Sequence, residues 1–258
     1  MRKGEVGHHF LARLGKTRLR PGGKRATDWL IQQGHFSKSK KVLEVACNIC
    51  TTSIGLAKKH GCQITGIDLD KSVLEKARRN IAKHHLSHLI EVMHGNATRL
   101  PFEDNSFDIV LNEAMLTMLP MEAKEKAVSE YLRVLKPGGI LLTHDVVIST
   151  KDQESTVQNL QDAIHIKATP LTELEWHDLF QRNGFQKTKA ICGAMTLLSP
   201  QGLIHDEGIL GALKIVFNAL KPENREIFKK MAKTFHHPKK KNGLYRHVQY
   251  EVNRVFFI

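Results

Sequence analysis

The chain has 258 residues, of which 41% are hydrophobic, enough to build the core of one α/β domain with additional segments. The sequence contains no run of about 18 apolar residues and no apolar leader, so we expect a cytoplasmic protein without a membrane partner. Its four cysteines are too few for a disulfide framework in a chain of this length.

The net charge of +13 is concentrated at the two ends of the chain. Residues 1–41 carry 11 Lys/Arg and 2 Asp/Glu, and residues 229–258 carry 8 and 1, whereas the middle is close to neutral. Basic ends of this kind attract an anionic substrate or a nucleic acid, but they are also typical of solvated, lysine-rich segments. The charge pattern alone leaves both interpretations open.

The first 40 residues predict a helical arm that ends in a loop. Leucines are sparse there, and the run Arg20-Pro21-Gly22-Gly23 interrupts the chain. A short helix over Ala26–Gln33 then ends at Gly34.

From residue 41 onward, strands and helices alternate. Short apolar runs, typical of buried parallel strands, occur at 41–46, 63–68, 89–93, 107–111 and 140–143. Helices are predicted between them at 51–60, 72–85 and 123–135. We expect Thr51 or Thr52 to cap the first helix, and Ser72 with Glu75 to form a capping box for the second. The alternation predicts a doubly wound α/β fold, with a mostly parallel, Rossmann-like sheet covered by helices on both faces.

The last third of the chain continues this pattern with one long helical stretch. Thr172 and Glu175 predict a capping box for a helix that ends at Asn183-Gly184, and a strand follows within 185–198. A helical stretch from 209 to about 235 is interrupted at Pro222, and alternating residues predict a final strand around 248–252. We therefore expect an N-terminal arm with a closing loop (1–40), a core (41–198), a C-terminal helical insertion or lid (199–243) and a last core strand (244–258).

The ends of the first two predicted strands resemble a nucleoside-binding site. A tight turn and a helix start follow the first strand, and Asp68 ends the second strand about 20 residues later. In such a site the turn brings backbone amides close to the ligand, and the carboxylate accepts hydrogen bonds from ribose hydroxyls. Asp68 could instead cap the next helix, but Asp70 or Ser72 can also do that.

Five motifs occur in order along this segment. They are Val42-Leu43-Glu44-Val45-Ala46-Cys47, Thr65-Gly66-Ile67-Asp68, Gly95-Asn96-Ala97-Thr98-Arg99-Leu100-Pro101-Phe102, Asp104-Asn105-Ser106-Phe107-Asp108-Ile109-Val110 and Leu132-Arg133-Val134-Leu135-Lys136-Pro137-Gly138-Gly139. With these motifs, residues 41–145 resemble the class I S-adenosylmethionine-dependent methyltransferases, in particular their ubiquinone-biosynthesis-like, methyltransferase type 11-like small-molecule branch. The resemblance implies S-adenosylmethionine as the cofactor and S-adenosylhomocysteine as its product.

The resemblance also implies roles for individual residues. Glu44 would orient the turn or reach the cofactor's amino group, Asp68 would hold the ribose, and Leu69 would lie beside the adenine. Asn96 stands where the family usually has Asp, and its amide oxygen can still accept from the adenine amino group. The remaining residues implied to bind the cofactor are Ala46 and Asn48 in the turn, Ala97 through its backbone amide, Asn112 beneath the sulfonium, and Gly22 and Gly23 in a loop similar to the family's cofactor-closing segment.

One departure from the family concerns the turn after the first strand. The family usually has the pattern Gly-x-Gly-x-Gly, and this sequence has Ala46, Asn48 and Cys50 at those positions. Asn tolerates the left-handed backbone conformation better than most residues. Either compensating shifts preserve cofactor binding, or the crowded turn leaves a protein that only senses the cofactor or has lost it.

The residues that would act on the methyl acceptor are less clear from sequence. Glu113 and His144 lie at predicted strand ends and are candidate catalytic bases, although His144 could simply pack there. Residues in the predicted cap segments could also face the acceptor, namely His8, His9, His205 and Tyr245. Cys47 and Cys50 form a C-x-x-C pair, but no further ligands at metal-binding spacing are evident, so we predict no metal site.

We therefore expect an enzyme that methylates a small molecule by in-line displacement, acting as a monomer or homodimer. An RNA methyltransferase that uses the basic ends is an alternative. Against it, only 6% of the residues are aromatic, so few side chains are available to stack on bases. A non-catalytic cofactor-binding protein is a second alternative, because of the missing glycines. A nicotinamide-dependent oxidoreductase is disfavoured by the absence of a Gly-x-Gly-x-x-Gly turn.

Overall fold

A computed structural model describes residues 5–149, 153–235 and 245–254; for 153 and 245–253 only the backbone is described. The strands are β1 (Lys41–Val45), β2 (Gln63–Asp68), β3 (Ile90–His94), β4 (Phe107–Glu113), β5 (Leu135–Ile148), β6 (Lys187–Ala194) and β7 (Tyr245–Asn253). The helices are α1 (Gly7–Leu14), α2 (Gly23–Gln33), α3 (Thr51–His60), α4 (Lys71–Lys83), α5 (Met121–Val134), α6 (Gln153–Ile164), α7 (Glu173–Arg182), α8 (Pro200–Leu220) and α9 (Pro222–Phe235), with a 3-10 turn at Leu116–Met118.

The seven strands form one sheet in the order β3-β2-β1-β4-β5-β7-β6. The first five are parallel, and β7 runs antiparallel to both of its neighbours. Helices α3 and α4 pack on one face of the sheet, and α5 and α7 pack on the other. This confirms the predicted doubly wound, mostly parallel sheet. Strand order reverses between β1 and β4, and a ligand crevice is expected there, outside the carboxyl ends of the strands.

Several predicted element boundaries need correction. Strand β5 is much longer than the predicted 140–143, because β7 pairs with it from Ile140 to Ile148. Helix α6 was not predicted at all. Helix α8 begins at Pro200, nine residues earlier than expected, where the Ser199 hydroxyl caps the backbone amide of Gly202 at 3.0 Å. The break at Pro222 is confirmed, and residues 236–244 lie outside the described residues.

Two of the predicted helix caps are wrong. The side chain of Asp70, rather than a Ser72–Glu75 box, accepts from the first amides of α4. Neither Thr51 nor Thr52 caps α3, because its N-cap position is Cys50 in a left-handed conformation, where no side-chain cap forms. The capping box at the start of α7 is confirmed.

Four helices, α1, α6, α8 and α9, form a cap that packs on the carboxyl-terminal part of β5. Their shared apolar cluster includes Phe10, Leu14, Leu160, Ile215 and Met231, each nearly fully buried. Helix α8 is kinked at Gly208, whose φ of 72° and ψ of 173° are not helical. In the described part of the chain, no helix is long and apolar enough to cross a membrane.

Candidate cofactor and acceptor site

The turn between β1 and α3 keeps a glycine-like backbone without glycines. Ala46, Asn48 and Cys50 have φ values of 56°, 49° and 58°, so all three lie in the left-handed region. For an L-residue other than Gly this conformation is unfavourable by roughly 1–2 kcal/mol, and it is least unfavourable for Asn. The surrounding structure must therefore hold the turn in place.

Hydrogen bonds to both sides of the turn provide that support. The backbone amide of Asn48 donates to Asp68 Oδ2 at 3.0 Å, and the side chain of Asn80 on α4 donates to the Ile49 carbonyl at 2.8 Å. Asp68 Oδ1 accepts from the Asp70 amide at 3.0 Å. Each oxygen of a carboxylate accepts about two hydrogen bonds, so Asp68 can position the turn and still accept from a ligand.

Glu44 is buried at the end of β1, and its described hydrogen bonds are with Ser53 in the first turn of α3. Its Oε2 accepts from the Ser53 amide at 3.2 Å and from the Ser53 hydroxyl. Burial raises the pKa of Glu44 to about 7, against the opposing effect of the Ser53 hydrogen bond. These contacts fit the first of its two predicted roles, in which Glu44 orients the turn.

The residues predicted to surround the adenine lie at the ends of β2 and β3. Leu69 is 61% exposed and presents an apolar surface directly after Asp68. Ala97 is buried in the core cluster beside the sheet. Asn96 Oδ1 accepts from the amide and the hydroxyl of Thr98, both at 3.0 Å, so an adenine amino group would compete with Thr98 for that oxygen.

Asn112, predicted to lie beneath the sulfonium, is fully buried near the end of β4. Its Oδ1 accepts from the Thr143 hydroxyl at 3.2 Å. Its Nδ2 has no partner among the described residues. An unpaired buried donor is costly in a folded protein, so this atom marks a place where a polar ligand atom would be stabilising.

Glu113 and His144, the two predicted catalytic residues, lie at adjacent strand ends and hold the N-terminal arm. Glu113 accepts from Arg20 and, at 2.6 Å, from the Thr27 hydroxyl, while His144 Nε2 accepts from the Gly22 amide at 3.1 Å. Burial would raise the pKa of Glu113, but the Arg20 charge and the hydrogen bond from His144 outweigh it and lower the pKa to about 2. Both side chains are thus occupied in attaching the arm, and their catalytic role stays a prediction. Sequence reasoning missed Arg20, since no local signal pairs it with a carboxylate 93 positions away.

The predicted closing loop is also attached to the cap. Gly23 has a φ of 59°, and a Cβ atom there would lie 2.5 Å from Asp206 Oδ1 on α8. Asp206 accepts from the Lys24 amide at 2.7 Å and from the buried Lys16 ammonium at 2.8 Å. Glycine at position 23 therefore allows the arm to approach α8 closely.

An apolar cavity lies beneath the cap, next to the ends of β4 and β5. Its cavity volume is about 60 Å³, and the empty space including its open mouth is about 580 Å³. Its described lining comes from the arm (Gly7, His8, Leu11, Leu19, Pro21), the strand ends (Ala114, Thr117, Met118, Val146) and the cap side (Leu160, Ile164, Ile166, Met195, Leu197, Met231, Phe235). Both the N-terminal arm and the predicted lid (199–243) contribute to this lining, but the sequence did not indicate which of their residues do so.

His8 is the one titratable residue among those described as lining the cavity. Its ring is 4.3 Å from that of His9, centroid to centroid, and both rings reach solvent. Partial burial lowers the pKa of His8, and His9 lowers it further, while Asp68 and Asp70 oppose them. His9 and His205 do not line the cavity, and the side chain of Tyr245 lies outside the described residues. Cys47 and Cys50 are buried, and no described group of His, Cys, Asp and Glu could hold a metal ion.

Sheet order, the strand-end turn and the position of Asp68 together define the class I methyltransferase fold. The family described as "Methyltransferase domain" matches residues 43–143. An uncharacterized protein of Haemophilus influenzae is 61% identical over 241 residues, which cover 93% of this chain and 96% of that protein. Residues 43–143 of the chain therefore form a methyltransferase domain of the class I, S-adenosylmethionine-dependent kind.

Named relatives match over shorter regions. The methyltransferase GfsG of Streptomyces halstedii is 32% identical over 54% of this chain and 49% of its own length. The demethylmenaquinone methyltransferase of Desulfitobacterium hafniense is 38% identical over 42% of this chain and 43% of its own length. Each of these matches covers less than half of the relative.

Solved structures share the fold at low sequence identity. Phospholethanolamine N-methyltransferase 2 of Haemonchus contortus, solved with S-adenosylhomocysteine, has a TM-score of 0.77 at 17% identity, covering 99% of this chain and 59% of that one. Geranyl diphosphate C-methyltransferase of Streptomyces coelicolor, also solved with S-adenosylhomocysteine, has a TM-score of 0.68 at 14% identity, covering 90% and 78%.

Proposed function

We propose that this chain binds S-adenosylmethionine at the ends of β1, β2 and β4 and transfers its methyl group to an apolar small molecule in the cavity beneath the cap. The observation that carries the cofactor assignment is the turn at Ala46, Asn48 and Cys50, which adopts the left-handed conformations for which glycine is usually required. The side chains at these positions change the lining of the site but leave the path of the backbone intact.

Other described residues fit the same cofactor. Asp68 retains acceptor capacity for ribose hydroxyls, and the exposed Leu69 offers an apolar surface for the adenine. The unpaired Asn112 Nδ2 is a buried donor for a polar atom of the ligand. Ala97 and Asn96 remain candidates beside the adenine, and Gly22 and Gly23 remain candidates for closing the site through the arm.

Once bound, the cofactor supplies an activated methyl group, so the protein mainly has to orient the acceptor and exclude water. The cap and the arm would provide this exclusion. Thr117 and His8 contribute the polar side chains of an otherwise apolar lining, so the acceptor should have a largely apolar body. His8 is the candidate base if the acceptor must lose a proton, because its lowered pKa favours the neutral imidazole.

The RNA methyltransferase alternative is weakened by how the arm uses its basic residues. Arg13 pairs with Glu5, Lys16 with Asp206, and Arg20 with Glu113, so these charges have partners within the protein. Phosphate binding by the arm would require these pairs to break.

Calorimetric titration with S-adenosylmethionine and S-adenosylhomocysteine tests the cofactor assignment. We expect both to bind, and Asp68→Ala to weaken binding at least about tenfold, because the ribose loses a charged acceptor. Asp178→Ala, which removes an exposed carboxylate on α7, is the matched control and should bind normally. Equal binding by both variants would contradict the role of Asp68, and a folded wild-type protein that binds neither compound would contradict the proposed function.

A further inference from the structure

The outer face of α8 after the kink presents an unusually large apolar surface. Six of its side chains are between 41% and 84% exposed: Ile209, Leu210, Leu213, Val216, Phe217 and Leu220. They follow one another at helical spacing and form one stripe. We call this stripe the α8 face.

The opposite side of the same helix is also apolar. Ala212, Ile215 and Ala219 are buried in the cap cluster, and Asn218 donates to the Leu14 carbonyl at 3.0 Å. A helix that is apolar on all sides is normally buried on all sides. Contiguous apolar patches of more than a few hundred Å² on a folded protein mark interaction sites. We therefore expect the α8 face to be covered by a binding partner.

The helix that carries the α8 face is attached to the N-terminal arm. Before the kink at Gly208, Asp206 binds the buried Lys16 ammonium, and Glu207 accepts from the Thr17 amide at 2.8 Å. These bonds fix the start of α8 to the arm. The apolar stripe is therefore a defined surface of the folded protein.

Charge indicates which partner suits this surface. Residues 209–221 contain Lys214 and Lys221 and no acidic residue. Lys221 Nζ lies 5.7 Å from the ring centroid of Phe217, so a positive charge borders the stripe. Two copies joined through this face would bring like charges together, whereas an anionic lipid surface would attract them.

We propose that the α8 face docks on the surface of an anionic lipid bilayer, with the helix in the plane of the interface and its apolar side chains among the headgroups and upper acyl chains. Apolar residues bordered by lysines are the pattern of helices that bind in this way, and such binding needs no spanning helix. This revises the expectation from sequence that the protein has no membrane partner.

Docking through α8 also suits the position of the cavity. Helix α8 packs on α1 and α9, and both of these helices line the cavity. A bilayer would therefore lie beside the cap and could supply an apolar acceptor. This last step rests on the proposed function, but the docking itself does not.

Vesicle flotation tests the docking. The full-length protein is mixed with vesicles of phosphatidylcholine alone or with added phosphatidylglycerol. We expect it to float with the anionic vesicles. Leu210→Ser combined with Phe217→Ser should reduce the bound fraction at least about tenfold, because two exposed apolar side chains that would enter the bilayer are lost. Leu174→Ser is the matched control, since Leu174 is 68% exposed on α7, and it should float like the wild type.

Three results would overturn the proposal. The first is a wild type that fails to float. The second is a double variant that floats unchanged, which would assign binding to the basic ends alone. Light scattering could instead show a dimer that the double variant dissociates, without flotation, which would make the α8 face a contact between two copies. Cofactor titration of the same samples separates the two proposals: a protein that binds cofactor but does not float contradicts docking alone, and one that floats without binding cofactor contradicts the proposed function alone.

Discussion

Ala46 carries a methyl group at the first position where the family usually has glycine. Its φ of 56° places it in the left-handed region, where the Cβ atom is crowded by the backbone. Asn48 is also in the left-handed conformation, which is less unfavourable for Asn because its short polar side chain can form local hydrogen bonds. The three residues show that the path of the turn is set by its hydrogen bonds and neighbouring strands.

Ala46→Gly is expected to stabilise the protein by about 0.5–1 kcal/mol. Relief of the left-handed strain should exceed the extra backbone entropy that glycine gains in the unfolded chain. Urea unfolding measures the effect. Ala57→Gly, in the middle of α3, is the control and should destabilise, because that site is helical and buried. A loss of stability in Ala46→Gly similar to that in Ala57→Gly would contradict the strained conformation.

At the scale of the elements, the arm is joined to the core through side chains at the ends of β4 and β5. Arg20 and Thr27 bind Glu113, while the Gly22 amide binds His144. The arm thereby covers the crevice edge between these strands. Its attachment depends on the ionised form of Glu113.

The stability of the protein should therefore fall in acid. The pKa of Glu113 is lowered from 4.5 to about 2, so its contribution is fully present above about pH 4.5 and is lost as the pH falls through 2. We expect Glu113→Gln to flatten the decline in unfolding free energy between pH 5 and pH 2. Glu122→Gln, at an exposed carboxylate on α5, should leave the decline nearly unchanged. Identical pH profiles for Glu113→Gln and wild type would contradict the ion pair.

The link between the arm and α8 includes one buried ion pair. Lys16 and Asp206 are 2.8 Å apart with side chains 0% and 1% exposed, whereas Lys24 and Asp28 form a pair at 2.6 Å that is 44% and 42% exposed. Lys16→Met should lower the free energy of unfolding by about 3–5 kcal/mol, since it leaves the buried Asp206 carboxylate without its cation. Lys24→Met should cost less than about 1 kcal/mol. Urea unfolding measures the stability of both variants. Equal losses in the two would contradict the burial of the Lys16–Asp206 pair.

For the whole molecule, the parallel core was predictable because its buried strands have short apolar runs and the helices between them follow a 3.6-residue pattern. The order of the strands was not predicted, because apolar runs do not show which strands become neighbours. The length of β5 was not predictable, because β7, more than 90 residues later in the chain, decides where its pairing ends. The cap of α4 was misassigned because Asp70, Ser72 and Glu75 compete for the same role. Helix α3 has no side-chain cap, because Cys50 occupies its N-cap position.

The positions of the candidate cofactor residues at neighbouring strand ends were predictable from motif order, and their binding role stays a prediction. The acceptor side was not. His8 reaches the cavity only because α1 docks against the end of the sheet, and Glu113 meets Arg20 only because the arm folds back across 93 positions. Contacts of this kind depend on tertiary packing and leave no local pattern in the sequence.

The central claim is that the turn binds S-adenosylmethionine through its backbone path, although its glycines are replaced. Titration of the wild type alongside Ala46→Gly/Asn48→Gly/Cys50→Gly tests it most directly. We predict that both bind, with dissociation constants within about tenfold of each other, because the backbone conformation is the same in both. Binding by the glycine variant but not by the wild type would show that the three side chains block the site, and it would contradict the claim.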